Sequence, residues 1–365
     1  MHCTWLVLLL TLATVTRSEH YHIVPVDSTD LCHDYQNGTC FTLEQLVQTA
    51  LLSGGDNLTL SFLPGDHILS EMLYICNFTE VIIAGQNATI SLNNSGRVQL
   101  SNISALSIEG LHFTGAGDES SSGYMNISQC NMVDLKLLKL EACTLGITRT
   151  VTVTIEQVLF VNNTSTDRAL MVEADNVYIE KSDFFSNDGG AAYIHSNQTV
   201  INGSKFNSNT ATMGGAVFVV SASVTISWSN FTNNIAESGG AIRSIAYKSN
   251  LFISNCALLN NSAIVGGAIN IWFGSVSISD SELAYNSAEK AGGAILIFDG
   301  ELLISDSKLT NNKAPSGGAI GLYMGNASIL SCNITDNEAV VGNGGTSLPT
   351  SAGGAILCFL LLVAL

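Results

Sequence analysis

A pair of glycines followed by small or aliphatic residues recurs along the second half of this chain. The first glycine of each pair stands at Gly189, Gly214, Gly239, Gly266, Gly292 and Gly317. The five intervals between these positions are 25, 25, 27, 26 and 25 residues. Because such regular self-similarity is typical of proteins built from stacked units, the repeat constrains the fold before any other residue is considered.

A second motif recurs in the same phase, in which an asparagine follows a large apolar residue by three positions. The asparagines are Asn163, Asn187, Asn209, Asn234, Asn261, Asn286, Asn312 and Asn337. The tenth and eighth residues before each asparagine are mostly aliphatic, as at Val224 and Ile226 before Asn234. This period of two predicts a strand with one buried face, and a similar strand follows the glycines.

Short strands joined by turns rich in Asn and Gly, without helical periodicity, predict an all-β protein. We predict a single-stranded right-handed parallel β-helix over residues 55–342, with about 10–13 coils stacked about 4.8 Å apart. The eight asparagines should form a ladder in which side chains hydrogen-bond from coil to coil. The paired glycines should allow positive φ angles or close approach of the backbone.

The segment at residues 19–54 precedes the repeats. Within it, Thr42 and Gln45 have the spacing of a capping box, which opens helices. We therefore predict a short helix at residues 44–53, which covers the first coil and hides its strand edge from other chains.

The two motifs in fixed phase resemble the repeats of polymorphic outer membrane proteins, over roughly residues 160–356. The whole chain resembles the right-handed β-helix, pectin-lyase-like superfamily. This resemblance implies a fold that hosts polysaccharide lyases, hydrolases and esterases. Their sites present several Asp with Arg, Lys or His on neighbouring coils of one face. The bacterial secretion machinery of the outer membrane proteins is not carried over, because the chain departs from them after Asn337.

The N-terminus predicts secretion. Residues 1–18 contain an apolar run followed by small and polar residues, which indicates a signal peptide. Asn-x-Ser/Thr triplets are frequent, as expected of a glycosylated extracellular protein. The candidate glycosylation sites are Asn37, Asn57, Asn77, Asn87, Asn102, Asn126, Asn163, Asn197, Asn202, Asn230, Asn260, Asn326 and Asn333. The predicted location is therefore outside the cell or on the extracellular face of the plasma membrane.

The C-terminal segment, residues 343–365, supports two interpretations. Small residues, a polar spacer and a short apolar tail match the signal for a glycosylphosphatidylinositol anchor, which would attach the protein to a membrane by a lipid. However, Gly353 and Gly354 begin another copy of the glycine motif, so the tail can instead be a truncated repeat. Both interpretations stay open at this point.

Cysteine positions predict one disulfide, between Cys32 and Cys40, which lie outside the repeats. Cys256 and Cys332 occupy a repeat position that is otherwise Ser, and they are expected to be small core residues. A bond between Cys130 and Cys143 remains possible, and no partner is assigned to Cys76.

The sharpest catalytic candidates are Asp280 and Asp306, which occupy the same repeat position on adjacent coils. Stacked carboxylates can bind Ca²⁺ or act as acid and base. An exposed polar turn is the alternative interpretation, because the same column continues without charge at Asn255 and Ser331. No cofactor is predicted.

The net charge of −17 argues against nucleic acid as a partner. The first functional hypothesis is a noncatalytic secreted or cell-surface protein for adhesion or recognition of glycans or other extracellular partners. The alternative is a carbohydrate-active enzyme, a polysaccharide lyase or glycoside hydrolase. Trp228 points outward in the predicted register, where it could stack on a sugar.

Overall fold

The computed structural model describes residues 18–25, 39–49, 52–93, 96–115, 123–245, 249–339 and 356–359. These residues form a parallel β-solenoid of about 11 turns. One sheet of 27 strands and a second of six strands run along the solenoid. The predicted all-β parallel β-helix is confirmed, and the number of turns lies within the predicted range.

Strands are numbered in chain order, and the first coils contain one helix, α1 (Leu43–Thr49). The strands of these coils are β1 (Ser18–Val24), β2 (Thr39–Thr42), β3 (Leu52–Phe62), β4 (Gly65–Leu69), β5 (Met72–Leu92), β6 (Arg97–Gly115), β7 (Gly123–Ser128), β8 (Met132–Lys136) and β9 (Lys139–Glu141). The large sheet thus includes β1 and β2, which lie before the predicted start of the solenoid at residue 55.

Each later coil has a long bent strand, a short strand and, from β16 onward, a third strand in the small sheet. The long strands are β10 (Cys143–Glu156), β12 (Leu170–Glu180), β14 (Ala192–Asn202), β17 (Val217–Ser227), the divided pair β20 (Ile242–Ser244) and β21 (Asn250–Ser254), β24 (Ile269–Ser279), β27 (Ile295–Ser305), β30 (Ile320–Leu330) and the partial strand β33 (Ile356–Phe359). The short strands are β11 (Leu159–Val161), β13 (Asp183–Phe185), β15 (Lys205–Asn207), β18 (Asn230–Thr232), β22 (Ala257–Leu259), β25 (Glu282–Ala284), β28 (Lys308–Thr310) and β31 (Asn333–Thr335). The small sheet contains β16 (Thr210–Met213), β19 (Ile235–Ser238), β23 (Ser262–Val265), β26 (Ser287–Ala291), β29 (Lys313–Ala314) and β32 (Glu338–Ala339).

The core consists of aligned columns of identical or similar side chains. Phe160, Phe184, Phe206 and Phe231 are fully buried, and successive ring centroids lie 4.5, 4.7 and 4.8 Å apart with nearly parallel planes. This is the coil spacing, so each ring packs face to face against its equivalent in the next coil.

The eight asparagines of the repeat lie in one column with continuous hydrogen bonds. The backbone N–H of each of the first seven donates to Oδ1 of the next, at 2.9 to 3.2 Å. From Asn187 to Asn312, Nδ2 also donates to the next Oδ1. The same Nδ2 donates to a backbone oxygen of the preceding coil, as from Asn209 to Phe184. The turn is therefore held in register although it lies outside the strands.

A second ladder runs along the serines five residues before the asparagines. The hydroxyl of Ser204 donates to Asn202 O and accepts the backbone N–H of Ser182, and Ser229 does the same one coil later. Cys256 occupies this column, is 3 % exposed and keeps the contact to the backbone two residues before it. The expectation of a small core residue therefore agrees with the position of Cys256, whereas Cys332 in the same column is only half-buried.

Two corners of every coil use the left-handed backbone region. One corner precedes each ladder asparagine, with φ of 54–59° at Asn162, Ser186, Ser208, Asn233, Asn260, Tyr285, Asn311 and Asp336. The other lies six residues before the asparagine, with φ of 47–61° at Gln157, Lys181, Gly203, Trp228, Asn255, Asp280, Asp306 and Ser331. Asn, Asp and Gly tolerate this region best, which explains why they are frequent at these corners.

The glycine pairs are required by the geometry between the small sheet and the next long strand. Gly214 has a φ of 54°, and a Cβ on Gly215 would lie 2.5 Å from Gly240 O. Real Cβ atoms do not approach a carbonyl oxygen so closely, so the coils can stack here only without side chains.

Arg168 binds backbone carbonyls at the C-terminal end of β16. Among the described residues, β16 is the first strand of the small sheet. The Arg168 guanidinium donates through Nη1 to Gly214 O at 2.9 Å and through Nη2 to Met213 O. It stacks over the Phe218 ring, and burial lowers its pKa to about 10, so it stays charged at neutral pH. The last carbonyl of β16 and the carbonyl of Gly214 after it are thereby satisfied by one side chain.

The N-terminal helix begins with the predicted capping box. Gln45 N donates to Thr42 Oγ1 at 3.2 Å, and Thr42 N donates to Gln45 Oε1 at 2.9 Å. Leu43 and Leu46 are buried against the first coils. The helix thus starts one residue before the predicted position, but it ends at Thr49 rather than at residue 53, because Leu52 and Ser53 belong to β3. Its role as the cap of the first coil stays a prediction.

At the C-terminal end, β33 pairs with β30, with Ile356 beside Ile320 and Phe359 beside Tyr323. This is the pairing expected if the tail is a repeat. Within the described ranges, no helix is long and apolar enough to cross a bilayer.

His67 is a buried histidine in an otherwise apolar column. It is 1 % exposed, Nε2 contacts Leu63 O at 2.8 Å, and the ring packs edge-on against Phe62. Its Cα partner in the next coil is Ile90. Burial lowers the pKa of His67 below its ordinary value, because desolvation disfavours the charged imidazolium.

Replacing Asn234 by Ala tests the ladder. The substitution leaves the backbone N–H and Nδ2 of Asn209 and the carbonyl of Phe206 without their partners in a buried turn. We expect the free energy of unfolding to fall by about 3 kcal/mol, measured by chemical denaturation. The control is Asn176→Ser, a half-buried strand position whose equivalent is Ser two coils later, at Ser223. An equal loss in both variants would contradict the ladder's role.

His67→Ile tests whether His67 makes the free energy of unfolding depend on pH. In the unfolded chain the imidazole binds a proton near pH 6.5, whereas in the folded state it does so only at lower pH. The free energy of unfolding should therefore fall as the pH drops below 6.5. Each pH unit should cost at most about 1.4 kcal/mol from this group. His67→Ile, which copies Ile90, should reduce this dependence, measured by thermal unfolding from pH 7 to 5. The control is Ile90→Val, which changes the next position of the same buried column without adding or removing a titratable group and should leave the dependence unchanged.

Candidate functional site

The strongest candidate site is a groove on the outer surface of β21, β24, β27 and β30. Its volume is about 490 Å³. The groove is lined by Asn250, Phe252, Ser275, Val276, Ser277, Glu301, Leu302, Leu303, Asn326 and Ser328. These residues come from equivalent positions of four successive coils, so the groove follows the solenoid.

Strand alternation produces the lining of the groove. Leu251 and Ile253 point into the core, and Asn250 and Phe252 therefore point outward. In the following coils, Asn250 aligns with Ser275, Glu301 and Asn326, which form a polar column.

Beside the polar column runs a mixed column of Phe252, Ser277, Leu303 and Ser328. Phe252 is 48 % exposed and Leu303 is 42 % exposed. The groove therefore offers hydrogen-bonding groups along one side and two separated apolar contacts along the other.

A second cavity of about 460 Å³ extends the groove around a turn of the coils. It shares Asn250, Ser275 and Glu301 with the groove. Its other lining residues are Phe273, Gly274, Asp299 and Gly300. The turn is tight, because a Cβ on Gly300 would lie 2.1 Å from Gly274 O. The carboxylates of Asp299 and Glu301 make this end of the groove negative.

Such a surface carries groups that can bind a sugar. Hydroxyl, amide and carboxylate groups can bind sugar hydroxyls, and an exposed aromatic ring can pack against the apolar C–H face of a sugar. Because equivalent groups recur on successive coils, a ligand with repeated units can make similar contacts at each coil.

A different, charged pocket lies where the long strands bend. Its volume is about 240 Å³, and its ionisable residues are Arg149, Glu173, Asp175 and His195. Glu173 and His195 are Cα partners on adjacent coils, and Asn197 Nδ2 donates to Asp175 Oδ1 at 3.1 Å. Two carboxylates with an arginine and a histidine form the kind of convergent group that acid–base chemistry requires.

The sequence did not reveal this pocket. Arg149 lies in a β-bulge, where the register between β10 and β12 shifts between Ile147 and Thr150. The bulge precedes the first glycine pair, so the spacing of the repeats does not align Arg149 with residues of later coils. The alternation of Glu173 and Asp175 along their strand indicates only that both side chains point outward.

Asp280 and Asp306 occupy equivalent corners of adjacent coils, as predicted, and both are exposed. Each has a φ of 49°, which Asp tolerates better than most residues. Their flanking residues Glu282 and Lys308 are Cα partners and are also exposed. Backbone geometry is thus sufficient to account for both aspartates, as the polar-turn interpretation expected.

Most of the predicted glycosylation sites are accessible. The exposed ones are Asn57, Asn77, Asn87, Asn102, Asn197, Asn230, Asn260, Asn326 and Asn333. Asn126 and Asn202 are half-buried, and Asn37 lies outside the described residues. Asn163 was predicted both as an acceptor and as a ladder residue. It is 1 % exposed and hydrogen-bonded in the ladder, so its amide cannot carry an oligosaccharide in this fold, and we correct that assignment.

Among the cysteines whose side chains the structure describes, Cys130, Cys143, Cys256 and Cys332 are free thiols. Cys130 and Cys143 therefore form no bond with each other. Burial raises the pKa of the Cys143 thiol to about 12, which makes it an unreactive core residue. Cys32 and the side chain of Cys40 lie outside the described residues, so their disulfide stays a prediction.

In the part of the chain that the structure describes, no group of three or more His, Cys, Asp or Glu side chains could hold a metal ion. No protein-family model, curated protein or solved structure matches this chain. The function must therefore be argued from the groove and the charged pocket themselves.

Proposed function

We propose that this protein is a noncatalytic, secreted or cell-surface β-helix that recognises extracellular glycans or other extracellular partners through the groove. The observation that carries the proposal is the pair of columns along four coils, one polar and one containing Phe252 and Leu303. We also propose that the fold belongs with the pectin-lyase-like proteins and that the repeats are of the polymorphic outer membrane protein type. The two motifs in fixed phase support this kinship.

The positions of the predicted N-linked oligosaccharides leave most of the groove accessible to a ligand. Between Asn230 and Asn326 the sequence has one further sequon, at Asn260. Asn260 lies at the corner before the ladder residue Asn261, away from the strand positions that line the groove. Only Asn326, at one end, would carry a glycan inside the groove. Most of its length is thus open to a ligand.

Replacing the two apolar contacts tests this proposal. Phe252→Ser and Leu303→Ser copy the equivalent residue Ser277, so the coil should fold normally. On an array of neutral and uronic-acid oligosaccharides, the wild-type chain should bind at least one class. The double variant should bind it at least about tenfold more weakly, because the packing against the sugar ring is lost.

Leu330→Ser is the matched control. Leu330 is 58 % exposed outside the groove and is equivalent to Ser305, so the same chemical change is made at a different place. Equal loss of binding in the control, or no binding by the wild type to any oligosaccharide of the array, would overturn the proposal.

The charged pocket favours the second candidate function, a polysaccharide lyase or glycoside hydrolase. Glu173 and Asp175 would act as acid and base there, with Arg149 binding an anionic substrate group. If the wild-type protein cleaves a polysaccharide of the array and Glu173→Gln does not, the protein is an enzyme and its site is the charged pocket. If cleavage is instead lost in the double variant Asp280→Ala, Asp306→Ala, these two aspartates form the catalytic site.

Attachment to the cell surface forms part of the proposal, and the two interpretations of residues 343–365 predict different results. With a glycosylphosphatidylinositol anchor, phosphatidylinositol-specific phospholipase C should release the protein from intact cells that express the full chain. With the tail as a repeat, β33 stays in the chain and the enzyme should release nothing. The measurement is an immunoblot of the medium before and after treatment, with a transmembrane-anchored protein as the control.

A further inference from the structure

Trp228 is the most exposed of the large apolar side chains in the described part of the chain, at 67 %, and it occupies an unfavourable backbone position. Its φ is 52°, in the left-handed region that bulky residues rarely adopt. The equivalent corners of the neighbouring coils hold Gly203 and Asn255, which tolerate this conformation. A bulky ring in a strained, exposed corner suggests a contact that the polypeptide alone does not provide.

An exposed sequon lies immediately beside this ring. Ser229 is fully buried, so Trp228 before it and Asn230 after it both project outward from the same corner. Asn230, Phe231 and Thr232 form the acceptor triplet. The backbone N–H of Asn230 donates to Ser204 O at 2.9 Å, and Thr232 Oγ1 donates to Asn207 Oδ1 at 3.0 Å. The backbone of Asn230 and the hydroxyl of Thr232 are thus hydrogen-bonded to the preceding coil, two and four residues after Trp228.

The surface around the pair has room for a sugar. A Cβ on Gly203, the corner of the preceding coil, would meet only Lys181 Cγ, at 3.7 Å. In the following coil, the Cα partner of Asn230 is the small residue Ala257. One side of the indole therefore borders open space, and Asn230 itself lies between the small residue Ala257 and the exposed side chain of Lys205, its Cα partner in the preceding coil.

We propose that Trp228 is an intramolecular binding site for the first N-acetylglucosamine of an N-linked oligosaccharide on Asn230. Oligosaccharyl transfer joins Asn230 Nδ2 to the anomeric carbon of that sugar. The bond from this carbon to a lipid diphosphate breaks, the lipid diphosphate leaves, and the amide loses one proton. The apolar face of the sugar then packs on the indole, which covers exposed apolar surface and stabilises the strained corner.

The chain contains its own control at Asn333. Asn333 has the same repeat position as Asn230, is exposed, and is followed by Thr335 as Asn230 is by Thr232. Its backbone N–H donates to Ser307 O at 2.9 Å, as that of Asn230 does to Ser204. The corner residue two positions before it is Ser331, so the same acceptor geometry occurs without an aromatic ring.

The test uses the full chain expressed in cells that perform N-glycosylation. Site occupancy is measured by mass spectrometry, and stability is compared for the wild type, Asn230→Gln, Trp228→Asn and the double variant. Trp228→Asn copies Asn255 and removes the strain as well as the ring, so the variant should fold. Loss of the glycan should raise the apparent unfolding equilibrium constant roughly three- to tenfold when Trp228 is present, and should have little effect in Trp228→Asn.

Two further measurements separate the sugar contact from a general effect of glycosylation. Asn333→Gln should change stability equally with and without Trp228. Trimming the glycans to a single N-acetylglucosamine should preserve the stabilisation at Asn230. An unoccupied Asn230, or equal stabilisation by its glycan in the presence and absence of Trp228, would overturn the proposal.

Discussion

The hydrogen-bonded column of asparagines is the interaction on which the rest of the structure depends. Each Oδ1 from Asn209 to Asn337 accepts two N–H groups from the asparagine of the preceding coil. Each Nδ2 from Asn187 onward also donates to a backbone carbonyl of the coil before its own, as from Asn187 to Phe160. In most folds the polar groups of surface turns form hydrogen bonds with water. Here the turn is buried, so its polar groups must be satisfied within the protein, and only one alignment of the coils does so.

That alignment determines the surface as well as the core. Since side chains alternate along each strand, holding the turn in register also aligns every outward position with its equivalent in the next coil. The groove arises in this way, because Asn250, Ser275, Glu301 and Asn326 would not form a column if one coil slipped by a residue. The same alignment places Gly203 beside Trp228 and gives the indole its open side. Candidate binding surfaces are thus a direct consequence of the ladder.

The sequence predicted those parts of the structure that repeat. Spacing alone identified the ladder, the serine column and the equivalence of Asp280 with Asp306, because each is repeated in several coils. Features that occur once were missed. Arg168 binds the carbonyls of Met213 and Gly214 at the end of β16, yet one arginine outside the motif carries no periodic signal. The charged pocket depends on the bulge at Arg149, which shifts the register locally. Strand β1 was not predicted because the segment before residue 55 carries neither of the two repeat motifs.

Hydrogen exchange at the ladder tests this account most directly. The backbone N–H groups of Asn187, Asn209, Asn234, Asn261 and Asn286 lie outside the strands but donate to buried side-chain oxygens. If the ladder holds the register, these amides should exchange as slowly as those of the core strands. Exchange at the rate of unprotected turn amides, with the strands still protected, would contradict the central role given to the asparagine column.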